Sequence, residues 1–236
     1  MNQHLSSARL KAIAREQLLG HYGTAISAEM AALSIMFAAS IICSALTDQT
    51  SAAGIAISYI ISFILEMING IFLFGLTRFY LNLICGQPCR AADIFYGFRS
   101  HADKAIAVRF FQLLLDTICI LPALLCLFLY TAKQSAWAFL LFCIFGVVGG
   151  IGTVIITLMY SQAYYIMLDF PSYSVKQVMS SSRRIMNGNK ARLFYIAVSF
   201  IPYYLLSLLS CGIAMLWVVP YRKTVFTNFY LDLMKV

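Results

Sequence analysis

The feature that most constrains this chain is a set of long apolar runs separated by short polar segments. A hydrocarbon core about 30 Å thick needs about 20 predominantly apolar helical residues to cross it. Runs over residues 24–46, 54–77, 105–130 and 136–168 reach that length. Inside lipid the backbone must satisfy its own hydrogen bonds, so such runs read as helices. Composition agrees: 61% of the 236 residues are hydrophobic and 11% are charged, with mean hydropathy +0.83, where a soluble domain carries about 25% charged residues. The sequence predicts an all-α fold, a polytopic membrane helical bundle of about six transmembrane helices with short amphipathic cytoplasmic helices.

The polar segments predict orientation. Lys and Arg gather on the cytoplasmic side of a membrane. Arg9, Lys11 and Arg15 precede the first run, Arg78, Arg90, Arg99 and Lys104 follow the second, and Lys176, Arg183, Arg184, Lys190 and Arg192 follow the fourth. Residues 47–53 contain Asp48 and no Lys or Arg, and residues 131–135 contain the single Lys133, so both read as outer turns. Residues 193–210 and 213–233 complete six helices with both termini inside. Pro220, Arg222 and Lys223 interrupt the last of these, and five helices plus an interfacial tail is the alternative. The charged first 23 residues do not resemble a signal peptide. The net charge of +8 sits beside apolar runs, where it attracts anionic lipid; no basic-and-aromatic motif points to nucleic acid.

The short segments read as surface helices. Residues 5–19 place Leu10, Ala14 and Leu18 on one stripe, as a lipid-surface helix or as a lid packed on the bundle. Pro88 precedes a segment whose Ile94, Phe95 and Phe98 make an apolar face. Ser174 and Gln177 form a capping-box pattern, and Asn187-Gly188 suits a left-handed helix end. Polar turns at residues 20–26, 100–106 and 187–193 each join such a helix to an apolar run, about eighty residues apart. A single domain of three units, residues 1–80, 81–168 and 169–236, accounts for that spacing; positive-inside topology alone accounts for much of it too. Gly146 and Gly150, extended by Thr153 and Thr157, predict close helix packing. Residues 136–168 are too long for an upright crossing and are expected to tilt or break near Gly149-Gly150.

Charges inside the apolar runs need a reason, since one at the bilayer centre costs about 2.5–3.5 kcal/mol on insertion scales. Glu66 and Asp116 fall near the middle of the second and third helices, with Asn69, Arg109 and Gln112 close in sequence. Two readings follow: a proton- or cation-responsive transport site, or a polar clasp between the helices, with protonated acids or an Arg109 salt bridge. Glu29 is expected to pair with Arg78 or Lys104. Arg99, Lys104, Arg183, Arg184, Lys190 and Arg192 form a candidate basic collar for lipid phosphates, or mark topology alone.

Enzyme signatures are missing: there is no phosphate loop, nucleophile elbow or HExxH. His4, His21 and His101 stand at turns without metal-ligand spacing, and the seven cysteines read as unpaired thiols. The sequence therefore predicts a non-enzymatic protein needing no cofactor or metal. Its expected partners are membrane lipids, anionic ones among them, and a partner protein or a second copy of the chain.

A family resemblance rests on residues 15–18 through Gly20 and Ala25-Ile26, Phe95-Tyr96-Gly97-Phe98, and Ser180 to Met186 leading into Lys190 to Phe194. Residues 217–221 and Asn228-Phe229-Tyr230 complete it. In this order, over nearly the whole chain, they resemble the bacterial integral membrane family called domain of unknown function 975. The resemblance implies a bacterial cytoplasmic-membrane protein of about six helices and brings no catalytic residues. Cys85-Gly86-Gln87-Pro88-Cys89 is unusual in the second unit.

Overall fold

A computed structural model describes residues 4–48 and 50–235; Gln49, in the predicted outer turn, lies outside the described residues. The described residues form helices joined by short turns, with no strand among them. Four long helices make two antiparallel hairpins. The first is α2 (Tyr22–Leu46) with α3 (Ala52–Ile84), and the second is α5 (Ala102–Lys133) with α6 (Ala136–Tyr160). Large apolar side chains along them stay exposed, among them Phe37, Ile41, Tyr59, Phe128, Val147 and Val148. In a bilayer that surface meets acyl chains.

Buried side chains concentrate at the end away from the hairpin turns. There α1 (Ser7–Leu18) lays Leu10, Ala14 and Leu18 fully buried against the bundle. Of its two readings, the packed lid is the one the fold adopts. A 3-10 turn (Ala91–Phe95) and α4 (Tyr96–Arg99) bury Ile94 against α3, where Gly75 lets the Ile94 backbone come close enough to exclude any Cβ. Phe95 and Phe98 stay half exposed, their rings set edge-on to Phe72. The chain continues through α7 (Ala163–Asp169), α8 (Val175–Ile185), α9 (Lys190–Val198), α10 (Ile201–Leu209) and α11 (Met215–Met234). As predicted, Ser174 and Gln177 cap α8 reciprocally, and Gly188 is left-handed at φ +84°.

Five stretches are long and apolar enough to cross a membrane: Tyr22–Leu46, Ala53–Ile84, Ala102–Lys133, Ala136–Asp169 and Lys190–Leu209. Two of them depart from the sequence reading. The fourth runs unbroken through Gly149-Gly150 and breaks instead at Ser161-Gln162, because Gly149 is held in a tight crossing. The fifth is two nine-residue helices parted at Ser199-Phe200, with Pro202 in the first turn of α10, the position where a missing N–H costs nothing. The segment expected as a sixth crossing forms helix α11 but is not among the stretches apolar enough to span: Thr224, Thr227, Asn228 and Asp232 are buried with its apolar residues. Those polar groups have partners in protein that they would lack in lipid.

The small-residue motif also acts differently from expectation. A Cβ on Gly146 or Gly150 would meet nothing within 4 Å, whereas one on Gly149 would lie 2.6 Å from the Cys119 carbonyl oxygen. Helices α5 and α6 therefore cross at Gly149, with Gly152 beside the Cys119 sulfur, and Gly146 and Gly150 face outward. Helix periodicity explains this: positions 146 and 150 share a stripe that 149 and 152 do not.

Candidate functional site

The packed end holds most of the ionisable side chains, and α11 gathers them. Lys223 of α11 reaches both carboxylate oxygens of Glu29 at 2.9 Å, and the Tyr80 hydroxyl of α3 donates to the same carboxylate at 2.8 Å. The Glu29 side chain is 8% exposed and that of Lys223 23%, so this is a nearly dry ion pair. Burial holds the Lys223 ammonium below its ordinary range, and Glu29 opposes that shift. The expected partners of Glu29 are engaged elsewhere. Arg78 stacks its guanidinium 3.4 Å from the Tyr96 ring centroid, and Lys104 donates to the carbonyls of Pro171 and Tyr173. Helix α3 continues past residue 77 and carries Arg78 toward α4, and Lys104, in the first turn of α5, reaches the loop before α8.

A second hub is Asp232, 7% exposed, which accepts from Arg192 at 2.5 Å and from the Leu5 backbone at 3.2 Å. Arg192 also donates to the Leu5 carbonyl, so the start of α1 is fastened to α9 and α11 together. Asn228 adds a bond to Gln17 at 2.6 Å. On the opposite side of α11, Tyr165 of α7 stacks on Tyr230 with centroids 4.8 Å apart and bonds Thr227 at 2.9 Å. The Tyr230 hydroxyl donates to Asp169; burial first, then Asp169, raises that phenol well above its ordinary range.

Between α3, α7 and α11 these contacts leave a cavity of about 190 Å³. Tyr80, Gln162, Tyr164, Arg222 and Lys223 line it. Two of these residues hold a polar atom buried without a hydrogen-bond partner, the Arg222 Nε and the Gln162 Oε1. Buried polar groups are nearly always paired, so two orphans on the lining of one cavity mark this as the candidate site. The Tyr164 hydroxyl, also unpartnered, stands instead at the seam of α3 and α5, 3.1 Å from where a Cβ on Gly70 would lie and beside Arg109. Ser161, Arg222 and Phe226 also border a groove of about 400 Å³ between α6 and α9. That groove shares Val154, Leu158 and Phe194 with a third, almost wholly apolar hollow of about 540 Å³ reaching Gly150 and Lys190.

The predicted polar cluster is brought together in part. Glu66 pairs with Arg109 at 2.7 Å, where Gly70 lets α5 approach α3. Gln112 donates to the Tyr160 carbonyl at 3.3 Å. Asp116 does not meet Glu66, and its Oδ1 is buried without a partner. Asn69 lines a groove between α2 and α3 beside Glu66. Position explains the separation: Asp116 is two turns beyond Arg109 on the same helix. The collar divides likewise. Arg99, Arg183 and Arg184 are exposed and have no hydrogen-bond or ionic partner among the described residues. Lys104 and Arg192 are spent inside the fold, and Lys190 borders the apolar hollow.

Sequence reasoning missed the Glu29–Tyr80–Lys223 pairing and the roles of Gln162 and Tyr164. The signal available was Arg222-Lys223 in an otherwise apolar segment, together with Glu29 one turn inside the first helix. Fold and site define a multi-pass helical membrane protein whose packed end is polar inside. The chain belongs to the family described as Protein of unknown function (DUF975), whose model matches residues 1–236, the whole chain. No curated protein and no solved structure matches it.

Proposed function

We propose that this is a non-enzymatic protein of the bacterial cytoplasmic membrane, its N-terminus cytoplasmic, that engages anionic lipid through basic residues at the packed end. The observation that carries the reading is the exposure of Arg99, Arg183 and Arg184 without partners in the fold. Tyr96 of α4 and Val175 and Met179 of α8 pack on one hydrophobic cluster, so these cations stand at the same end. Lys133 is the sole Lys or Arg at the hairpin turns, and such asymmetry orients a chain with its basic end inward. Cations near an anionic leaflet each contribute about 1 kcal/mol, screened by salt. The Glu66–Arg109 ion pair supports a helix clasp in place of a proton-carrying acid.

The test is lipid enrichment around the purified protein drawn from vesicles of mixed phosphatidylglycerol and phosphatidylcholine. Phosphatidylglycerol should exceed its bulk fraction, and R99Q/R183Q/R184Q should bring it back to bulk. Unchanged enrichment in the triple variant overturns the reading; loss of a co-purifying protein with lipid enrichment intact replaces it with a protein partner.

A further inference from the structure

The cavity and groove beside α11 are separate from the exposed collar and have a chemistry of their own. The Arg222 Nε–H is a donor with no acceptor, and Gln162 Oε1 is an acceptor with no donor. Gln162 is 1% exposed, so it does not lose its partner to bulk water. Glu29 does not supply the compensating charge for Arg222, because it is paired with Lys223 at 2.9 Å. Arg222 has no carboxylate: its guanidinium lies over the rings of Tyr204 and Phe226, 5.9 and 5.7 Å from their centroids. A partly buried cation with an unused N–H asks for an anion.

The groove says what kind of anion. It leaves the cavity at Ser161, Arg222 and Phe226, runs between α6 and α9 past Val154 and Phe194, and opens beside Gly150. Gly150 presents no Cβ there and nothing within 4 Å of where one would stand, which leaves width for a chain. Polar groups thus stand at one end and an apolar trough leads from them. A free anion would leave the trough empty, and a plain hydrocarbon would leave the polar groups unmet.

We propose that this is a binding site for one anionic glycerolipid. A phosphate oxygen accepts from Arg222 Nε–H, a headgroup hydroxyl donates to Gln162 Oε1, and an acyl chain lies between α6 and α9. The site deepens the anionic-lipid reading but does not depend on the collar: it holds one lipid in a fixed place, whereas Arg99, Arg183 and Arg184 act on the surrounding leaflet.

The test is native mass spectrometry of the full chain in detergent, titrated with phosphatidylglycerol, phosphatidylcholine and glycerol 3-phosphate. One phosphatidylglycerol should be retained, with phosphatidylcholine weaker by about tenfold, the scale of one charge-assisted hydrogen bond. R222Q should weaken retention by about tenfold as well, and R222K should recover most of it, separating charge from the ring contacts. G150F should obstruct the chain and lower retention while sparing Arg222. R99Q/R183Q/R184Q should keep the single bound lipid even where bulk enrichment is lost, so the two readings fail separately. The proposal is overturned if R222Q binds like the wild type at an unchanged melting temperature, if phosphatidylcholine binds equally, or if glycerol 3-phosphate displaces the lipid at equal concentration.

Discussion

The Lys223 ammonium and the Glu29 carboxylate, 194 residues apart in the chain, meet at 2.9 Å with the Tyr80 hydroxyl completing the group. Three helices, α2, α3 and α11, are fixed to one another at that point. Removing one member of a buried pair strands the other, a loss of about 3–5 kcal/mol, whereas replacing both with apolar groups is often neutral. E29L and K223L should each lower the melting temperature in detergent sharply, and E29L/K223L should recover much of the loss. Additive effects in this cycle would refute the pairing.

The same pair gives a pH dependence. Burial lowers the Lys223 pKa below the ordinary value of 10.5, so in the window between the folded value and 10.5 the unfolded chain binds more protons than the folded one. Stability contributed at this site therefore rises with pH across that window. Wild-type protein, compared with K223M, should gain stability as the pH rises toward the ordinary value of 10.5. A relative loss over the same range would mean that Glu29 outweighs desolvation.

Gly149 and Gly146 differ by one turn and should differ in sign. G149A would drive a methyl toward the Cys119 carbonyl at 2.6 Å, and overpacking of this kind costs about 1–3 kcal/mol. G146A meets nothing within 4 Å and should gain about 0.5–1 kcal/mol from the lower unfolded-state entropy of alanine. Thermal unfolding of both variants checks the α5–α6 crossing directly; equal effects would place the crossing elsewhere.

Glu66 and Asp116, predicted as a pair, should respond in opposite directions. Glu66 lies in a membrane-spanning helix, where its exposed surface meets lipid in place of water, so E66Q strands Arg109 and should cost about 3–5 kcal/mol. D116L removes a buried oxygen that bonds nothing and should be neutral or stabilising. A large loss in D116L, measured as the midpoint of detergent-induced unfolding, would reveal a partner for that carboxylate.

What was legible in the sequence was local. Leu10, Ala14 and Leu18 repeat at helical spacing and are all fully buried, and the Ser174–Gln177 cap forms as its spacing requires. Long apolar runs located all five candidate crossings, but the second continues to Ile84, the fourth breaks at Ser161-Gln162 and the fifth at Ser199-Phe200 just before Pro202. The site was not legible because its members are distant: Glu29, Tyr80, Gln162 and Lys223 lie on four elements, and periodicity within one helix carries no information about which faces meet. Arg78 and Lys104 were plausible partners for Glu29 by depth, but an aromatic face and two loop carbonyls stood nearer. Arg222 and Lys223 interrupt a helix that lipid would surround, but protein covers their neighbours Tyr221, Thr224 and Val225.

Helix α3 has 33 residues, a rod about 50 Å long at 1.5 Å per residue. Its first half carries exposed Ile57, Tyr59 and Ile60, and its second half carries buried Phe74, Phe79 and Tyr80. One unbroken lever thus joins the lipid-facing hairpin to the ion pair beside Glu29. The span that meets the acyl chains and the hydroxyl that completes the ion pair belong to one continuous rod with no hinge between them.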